Sequence, residues 1–372
     1  SSIILNYISF LSPELNGLAK VNFLIFIFFS LYYFLYLEKN IYLNIFIFLL
    51  IIISLGTPTV DWDARSIWLF KSKQIFFDQS ILNVKNNYAE FSHTNYPSIA
   101  PAFSAGLVNL VGHWNEIYPK TAFTLLLIPP LIILSKNFNK NIFLICLSII
   151  LFTTGKFLVN GEMDGIVSLY FISSALIIYN LKNVDNLSNY EFYILIFFLI
   201  ILSLLKLEGL VLIICLTIGS LISSIKKKNI FKKIIIIFLL SIIPITLWNL
   251  FTQHFNLGTT NENYIFDIND FYNRVFQINN YITIFNYLIF NDKFLASILF
   301  FFISLFFTVN KNTIIFITSV SIIYILFLFT VYLSSPLDLE WHLNSANRVI
   351  KPIALFIFIL SLQNIYKQFG KI

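Results

Sequence analysis

Five short polar clusters interrupt an otherwise apolar chain, and each carries side chains able to do chemistry. The first runs Asp61-Trp62-Asp63-Ala64-Arg65-Ser66-Ile67-Trp68-Leu69-Phe70-Lys71. Two carboxylates two residues apart, at the mouth of an apolar run, are costly near hydrocarbon unless they are paired or used. A helix over 63–77 would set Asp63 at its N-cap, where free N–H groups and the helix dipole keep it ionised. An ionised carboxylate there can serve as a general base or, with Asp61, help hold a divalent cation. Ile67, Phe70 and Ile75 would then face the membrane, as in a helix lying in the interface. Arg65 and Lys71 supply cations that a phosphate could meet. The plainer alternative makes Asp63 only a cap and Asp61 a solvated loop charge.

The second cluster, Ser92-His93-Thr94-Asn95-Tyr96-Pro97, stands before a proline-bearing segment. His93 could donate to an anion or bind a metal, and Tyr96 could stack on a sugar, unless the pair is only a stiffened interfacial loop. In Gly161-Glu162-Met163-Asp164-Gly165, an acidic residue opens a long apolar run, which suits a binding role as well as a helix cap. Lys206-Leu207-Glu208-Gly209 divides two apolar runs. Its charges cannot both face lipid, so they are expected to pair with each other or with groups from neighbouring loops.

The fifth cluster spans Asp338 to Pro352. Trp341, Ser345 and Arg348 fall on one face at helical spacing, and Arg348 stands where the final apolar run begins. Arginine is informative here because the chain has only Arg65, Arg274 and Arg348 among its 24 basic residues. Its planar fork grips a phosphate in a way lysine cannot. Arg348 is therefore a candidate donor-phosphate ligand, with Lys351 and His342 as neighbours, against the reading of an interfacial anchor. Walker, GxGxxG, HExxH, GxSxG and CxxC patterns are all missing from the chain. Cys146 and Cys215 sit inside apolar runs and suggest neither a disulfide framework nor a metal cluster.

The elements that must position these clusters are membrane spans. Hydrophobic residues make up 58% of the 372, charged residues only 11%, and the mean hydropathy is +0.83. So few charges cannot cover a water-exposed surface, and lipid must solvate most of the chain. Apolar runs at 21–37, 41–56, 121–135, 142–155, 164–181, 191–205, 209–225, 233–251, 294–309, 313–333 and 351–366 predict an all-α polytopic membrane protein. With 97–113, this gives about 11–12 transmembrane or re-entrant helices, plus interfacial helices in the outer loops. The whole of 1–372 reads as one transmembrane unit. The bias toward Ile, Phe, Asn and Lys is expected of an AT-rich genome, so Asn abundance carries no weight. The chain begins at Ser1 without a basic leader, so no cleavable signal peptide is expected and a trimmed N-terminus is.

Loop charge sets the orientation. The loops at 38–40, 136–141, 182–190, 226–233 and 310–312 and the tail carry lysines against only Glu38 and Asp185. Lysine excess marks the cytoplasmic face. The outer face then receives 57–96, 156–163, 206–208, 252–293 and 334–350. With Asp164, these hold 13 of the 18 acidic residues and all three arginines. The grouping works only if 97–113 re-enters without crossing. The positive charge is thus a topology signal, and no nucleic-acid partner is expected.

Taken in order, DWDARSIWLFK (61–71), HTNYP (93–97), GEMDG (161–165), KLEG (206–209) and EWHLNSANR (340–348) resemble the GT-C superfamily of integral-membrane glycosyltransferases. The resemblance is especially to the bacterial mannosyltransferase- and aminoarabinose-transferase-like branch, over about 41–366. The resemblance implies a polyprenyl-phosphate sugar donor, inverting transfer to a lipid or glycan acceptor, and a site on the outer face of the bacterial inner membrane. It implies Asp63 as general base with Asp61 its companion, Asp164 as a second acidic site, and Arg348 gripping the donor phosphate. His93, Tyr96, Arg65, Lys71, Glu162, Lys206, Glu208 and His342 complete the expected substrate-binding set. The chain departs from the pattern in an extra span at 21–37, in DWD for adjacent carboxylates, and in the lack of a large soluble C-terminal part. A lipid-linked oligosaccharide flippase or polymerase and a non-catalytic scaffold are the competing classes.

Overall fold

The computed structural model describes residues 2–37, 40–84, 89, 92–183, 189–225, 227–257, 268–307 and 311–369. Among them every regular element is helical. Ser2–Ser9 (α1) and Gly17–Tyr32 (α2) come first, and α2 continues as a π-helical turn through Tyr33–Leu37. Ile41–Gly56 (α3) follows, and a second π-helical turn, Ala64–Leu69, leads into Phe70–Asp78 (α4). Next come Ile99–Val111 (α5), Pro119–Leu125 (α6), Ile128–Asn137 (α7), Lys140–Thr154 (α8) and Asp164–Asn183 (α9). Asn189–Leu205 (α10), Leu207–Ser223 (α11) and Lys228–His254 (α12) make up the middle of the chain. Ile268–Val275 (α13), Ile278–Ile289 (α14) and Asp292–Leu305 (α15) lead to Lys311–Ser334 (α16). Two short turns, Leu339–Leu343 (α17) and Ala346–Val349 (α18), precede Lys351–Phe369 (α19).

Six of the described helical stretches are long and apolar enough to cross a membrane, or seven if α14 and α15 form one span bent by 74°. The shorter apolar helices α3, α9, α10 and α11 complete the eleven segments expected. Their outward faces present side chains such as Phe28, Phe48, Leu239, Leu247 and Leu326. Apolar exposure on this scale needs lipid to cover it, so the chain is an integral membrane protein. Where helices meet, small residues set the spacing. A Cβ at Gly219 of α11 would lie 2.4 Å from a Val320 methyl of α16, so the glycine permits the close approach.

The two sets of loops gather at opposite ends. Asn180, near the end of α9, donates to Asn137 at the end of α7 (2.6 Å) and accepts from Lys367 in the last turns of α19 (3.1 Å). Lys136 lies over the Tyr33 ring. At the other end, Lys120 in α6 donates to the Thr57 carbonyl (2.6 Å), just past α3. The chain between Thr57 and Lys120 therefore returns to the end it left, and α5 makes no net crossing. Its thirteen residues, about 20 Å long, are buried almost throughout. Phe103 packs against Phe23 and Phe26, and Asn109 exchanges hydrogen bonds with Gln79.

Several expectations need correction. Ile67 and Ile75 do not face lipid; both are buried, and Phe70 is half-buried, because α4 packs along α5. The described part of the 252–293 stretch does hold helices, as expected of the outer loops: the end of α12, then α13, α14 and the start of α15. Trp341 does not share the face of Ser345 and Arg348: the turns repeat every three residues here, so His342, Ser345 and Arg348 line a common cavity while Trp341 is exposed. Glu38, Lys39, Asp185, Lys226 and Lys371, which entered the charge argument, lie outside the described residues, as do 85–88, 90–91 and 258–267.

Candidate active site

Lys206 alone joins α10 to α11, in extended backbone (φ −159°, ψ 153°). The tight break requires Gly209, because a Cβ there would lie 1.9 Å from the Leu202 carbonyl oxygen. The Lys206 ammonium is thereby set 3.1 Å from both Asp164 Oδ1 and Glu208 Oε1. Burial pushes this ammonium toward neutrality, but the Asp164 and Glu208 charges outweigh it and hold Lys206 protonated.

Arg348, at the end of the α17–α18 region, reaches three carboxylates from two segments. Its Nη2 lies 2.6 Å from Asp63 Oδ2, Nη1 3.5 Å from Glu162 Oε1, and Nε 3.5 Å from Asp164 Oδ2. Asp63 is not an N-cap: its backbone is already helical and its side chain makes no cap bond. The carboxylate is turned to the guanidinium instead. Asp61 accepts from Lys156 (2.6 Å) and Asn160 (3.0 Å), and Asn160 also donates to Glu162 Oε2 (2.6 Å). Burial pushes the Asp61 carboxyl up, yet the Lys156 and Asn160 hydrogen bonds prevail and hold it below the usual range. Glu162 moves the opposite way. Burial first, and then the Asp164 charge, push its carboxyl above the usual range.

A cavity of about 690 Å³ opens beside this network. Lys206, Glu208 and Arg348 form its charged wall, with His342 kept neutral beside them by burial, and Asn95, Thr252, Gln253 and Asn256 form an uncharged polar one. Leu207 and Val211 of α11, with Phe327, Leu328 and Val331 of α16, supply the apolar part. His93 and Tyr96 also line it, their rings stacked 4.9 Å apart. Asp61, Asp63, Glu162 and Asp164 do not line the cavity; Arg348 touches both the cavity and the last three.

Comparison with known proteins gives no relative. No family model, curated protein or solved structure matches this chain.

The structure thus brings together Asp61, Asp63, Glu162, Asp164, Lys206, Glu208 and Arg348, with His93, Tyr96 and His342 lining the same cavity. Two expected residues fall elsewhere. Arg65 is exposed, and among the described residues it neither joins the network nor lines the cavity. Lys71 is fully buried, donating to the His93 and Tyr96 carbonyls, so it fixes the 93–96 loop from behind. Of the neighbours expected to join Arg348, His342 lines the same cavity and Lys351 does not. Lys351 donates to the Asn347 carbonyl (2.6 Å) and lies 3.9 Å from the centre of the Phe157 ring, while carboxylates occupy the guanidinium. The remaining arginine, Arg274, clamps the turn after α16 by donating to the Tyr332, Ser335 and Leu337 carbonyls.

Asp61 and Asp63 do not fit a metal site in this arrangement. Each faces a cation, and no three His, Cys, Asp or Glu side chains among the described residues are grouped to hold an ion. Sequence reasoning missed Asn160 and Lys156. Asn160 was concealed by the general abundance of Asn; its place two residues before Glu162 was the one available signal.

The opposite shifts of Asp61 and Glu162 have a consequence for stability. A carboxyl whose folded pKa is raised binds its proton more tightly than in the unfolded chain, so its contribution grows as pH falls through that value. Glu162→Gln should therefore cost less than Asp164→Asn at neutral pH, and wild type should gain on it as pH is lowered. Asp164→Asn removes a charge from both Lys206 and Arg348 and should cost about 3–5 kcal/mol. Thermal unfolding in detergent across pH reads both variants; equal destabilisation of the two would contradict this assignment.

Proposed function

We propose that this chain is a GT-C-like membrane glycosyltransferase, which moves a sugar from a polyprenyl-phosphate donor to a lipid or glycan acceptor with inversion. The observation that carries the reading is Arg348. It stands in the wall of a cavity with an apolar flank, and its guanidinium also holds the Asp63 carboxylate at 2.6 Å. A lipid phosphate needs an apolar flank for its chain and cations for its head, and Lys206 and Arg348 are the cations there.

In this reading the donor phosphate lies against Lys206 and Arg348. The acceptor oxygen attacks the anomeric carbon from the opposite face, and the bond from that carbon to the phosphate oxygen breaks. Its electron pair stays on the phosphate, where the two cations stabilise the charge as it develops. The acceptor proton passes to Asp63. A phosphate arriving at Arg348 competes with Asp63 for the guanidinium, which frees the carboxylate as the donor binds. Asp164 holds both cations in place. A flippase reading would call for charges along a crossing path, whereas the cavity's charged side chains cluster at its Lys206–Arg348 wall.

The proposed setting is a bacterial inner membrane, with the lysine-bearing end cytoplasmic and the cavity periplasmic. Lys227→Cys, between α11 and α12, should then react with an impermeant maleimide only in permeabilised cells. Trp341→Cys, exposed at the cavity end, should react in intact cells. The reverse pattern would overturn the orientation. The function itself is tested by mass spectrometry of envelope glycans and lipids from a strain lacking the gene. Loss of one sugar substituent, with build-up of its polyprenyl-phosphate donor, supports the reading; unchanged profiles contradict it.

A further inference from the structure

Glu208 is the odd member of the cavity's charged wall. A carboxylate repels phosphate, so it has no place in a phosphate grip. Its Oε1 is paired with Lys206, but Oε2 is buried and has no hydrogen-bond partner. Leaving such an oxygen unsatisfied is costly, and a ligand hydroxyl is the neutral donor that satisfies it once the Glu208 side chain, about a third exposed, turns that oxygen to the cavity it lines. Across the cavity the polar lining is uncharged. Gln253 and Asn256, at and just beyond the end of α12, expose amides that both donate and accept, which suits neighbouring hydroxyls. Thr252 donates to the Asn249 carbonyl, leaving its oxygen able to accept. The wall is a single piece, because Trp248 of α12 donates to the Asn95 carbonyl at 2.8 Å. The stacked His93–Tyr96 rings line the same space, and aromatic faces suit the C–H side of a sugar ring.

We propose that Asn95, Thr252, Gln253 and Asn256, together with the spare oxygen of Glu208, form the seat of a polyhydroxylated sugar ring, with Glu208 accepting from one of its hydroxyls. This rests on the glycosyltransferase reading and assigns the sugar, as distinct from the phosphate, to the wall built by α12 and the 93–96 loop.

The test uses the full chain in lipid nanodiscs and compares binding of undecaprenyl phosphate with that of a panel of hexosyl and pentosyl undecaprenyl phosphates. Wild type should bind at least one glycosylated lipid about tenfold more tightly than the bare lipid phosphate. The double variant Gln253→Ala/Asn256→Ala should lose that preference while its affinity for bare undecaprenyl phosphate stays unchanged. In Glu208→Gln the one remaining oxygen stays with Lys206 and an NH2 replaces Oε2, so this variant should lose it as well. If wild type shows no preference, or both variants retain it, the seat is overturned and the lipid-phosphate reading stands. Failure of wild type to bind any of these lipids removes that reading, and the seat with it.

Discussion

Asp63→Asn should lower turnover about 10²- to 10⁴-fold, the usual cost of losing a general base, with little change in fold or donor affinity. The asparagine keeps the size of the side chain and one oxygen that can accept from Arg348, so the 2.6 Å contact has a neutral substitute. The charge needed to take a proton is lost. Asp61→Asn should be far milder, because Lys156 and Asn160 already occupy the Asp61 carboxylate and Arg348 reaches Asp63 in its place. Purified Asp63→Asn turning over at the wild-type rate would pass the role to Asp61 or Asp164. Donor affinity, measured separately, checks that the loss lies in the chemical step.

Arg348 should be the least replaceable residue in the chain. Arg348→Ala leaves Glu162 and Asp164, both buried, without their shared cation, and breaking a buried pair of this kind costs about 3–5 kcal/mol. Arg348→Lys keeps the charge but has one ammonium where three guanidinium nitrogens now reach three carboxylates. The lysine variant should therefore recover part of the stability and little of the activity, with a donor KM close to that of Arg348→Ala. An arginine serving only as an interfacial anchor predicts the opposite, since both side chains snorkel to the headgroup level equally well. A lysine variant with wild-type KM and melting behaviour would leave Arg348 as an anchor.

Much of the fold was legible because the spans are read from length and hydropathy alone. All eleven apolar runs coincide with helices, and the lysine asymmetry sorted the loops into the two ends at which they gather. The helix Ser2–Ser9 was too short to register as a span. The α4 face was misread because a stripe such as Ile67 and Ile75 looks the same whether lipid or α5 covers it. Within the site, the types of Asp63, Asp164, Lys206 and Arg348 marked them out. Their pairing did not show, because Asp63 and Arg348 are 285 residues apart and no local pattern encodes such a contact. Lys71 was misassigned for a related reason: a lysine that donates to the His93 and Tyr96 carbonyls is indistinguishable in sequence from one that meets a ligand.

The central claim, that this chain transfers sugar from a lipid phosphate, is tested most directly by transfer with purified components. Wild type and Asp63→Asn, reconstituted in liposomes, would be supplied with glycosylated undecaprenyl phosphates and an envelope-lipid extract, and release of undecaprenyl phosphate would be followed. The account predicts release coupled to a new glycosylated product in wild type, and release reduced at least about a hundredfold in Asp63→Asn. Equal release by the two proteins, or no release from any donor by wild type, would contradict it.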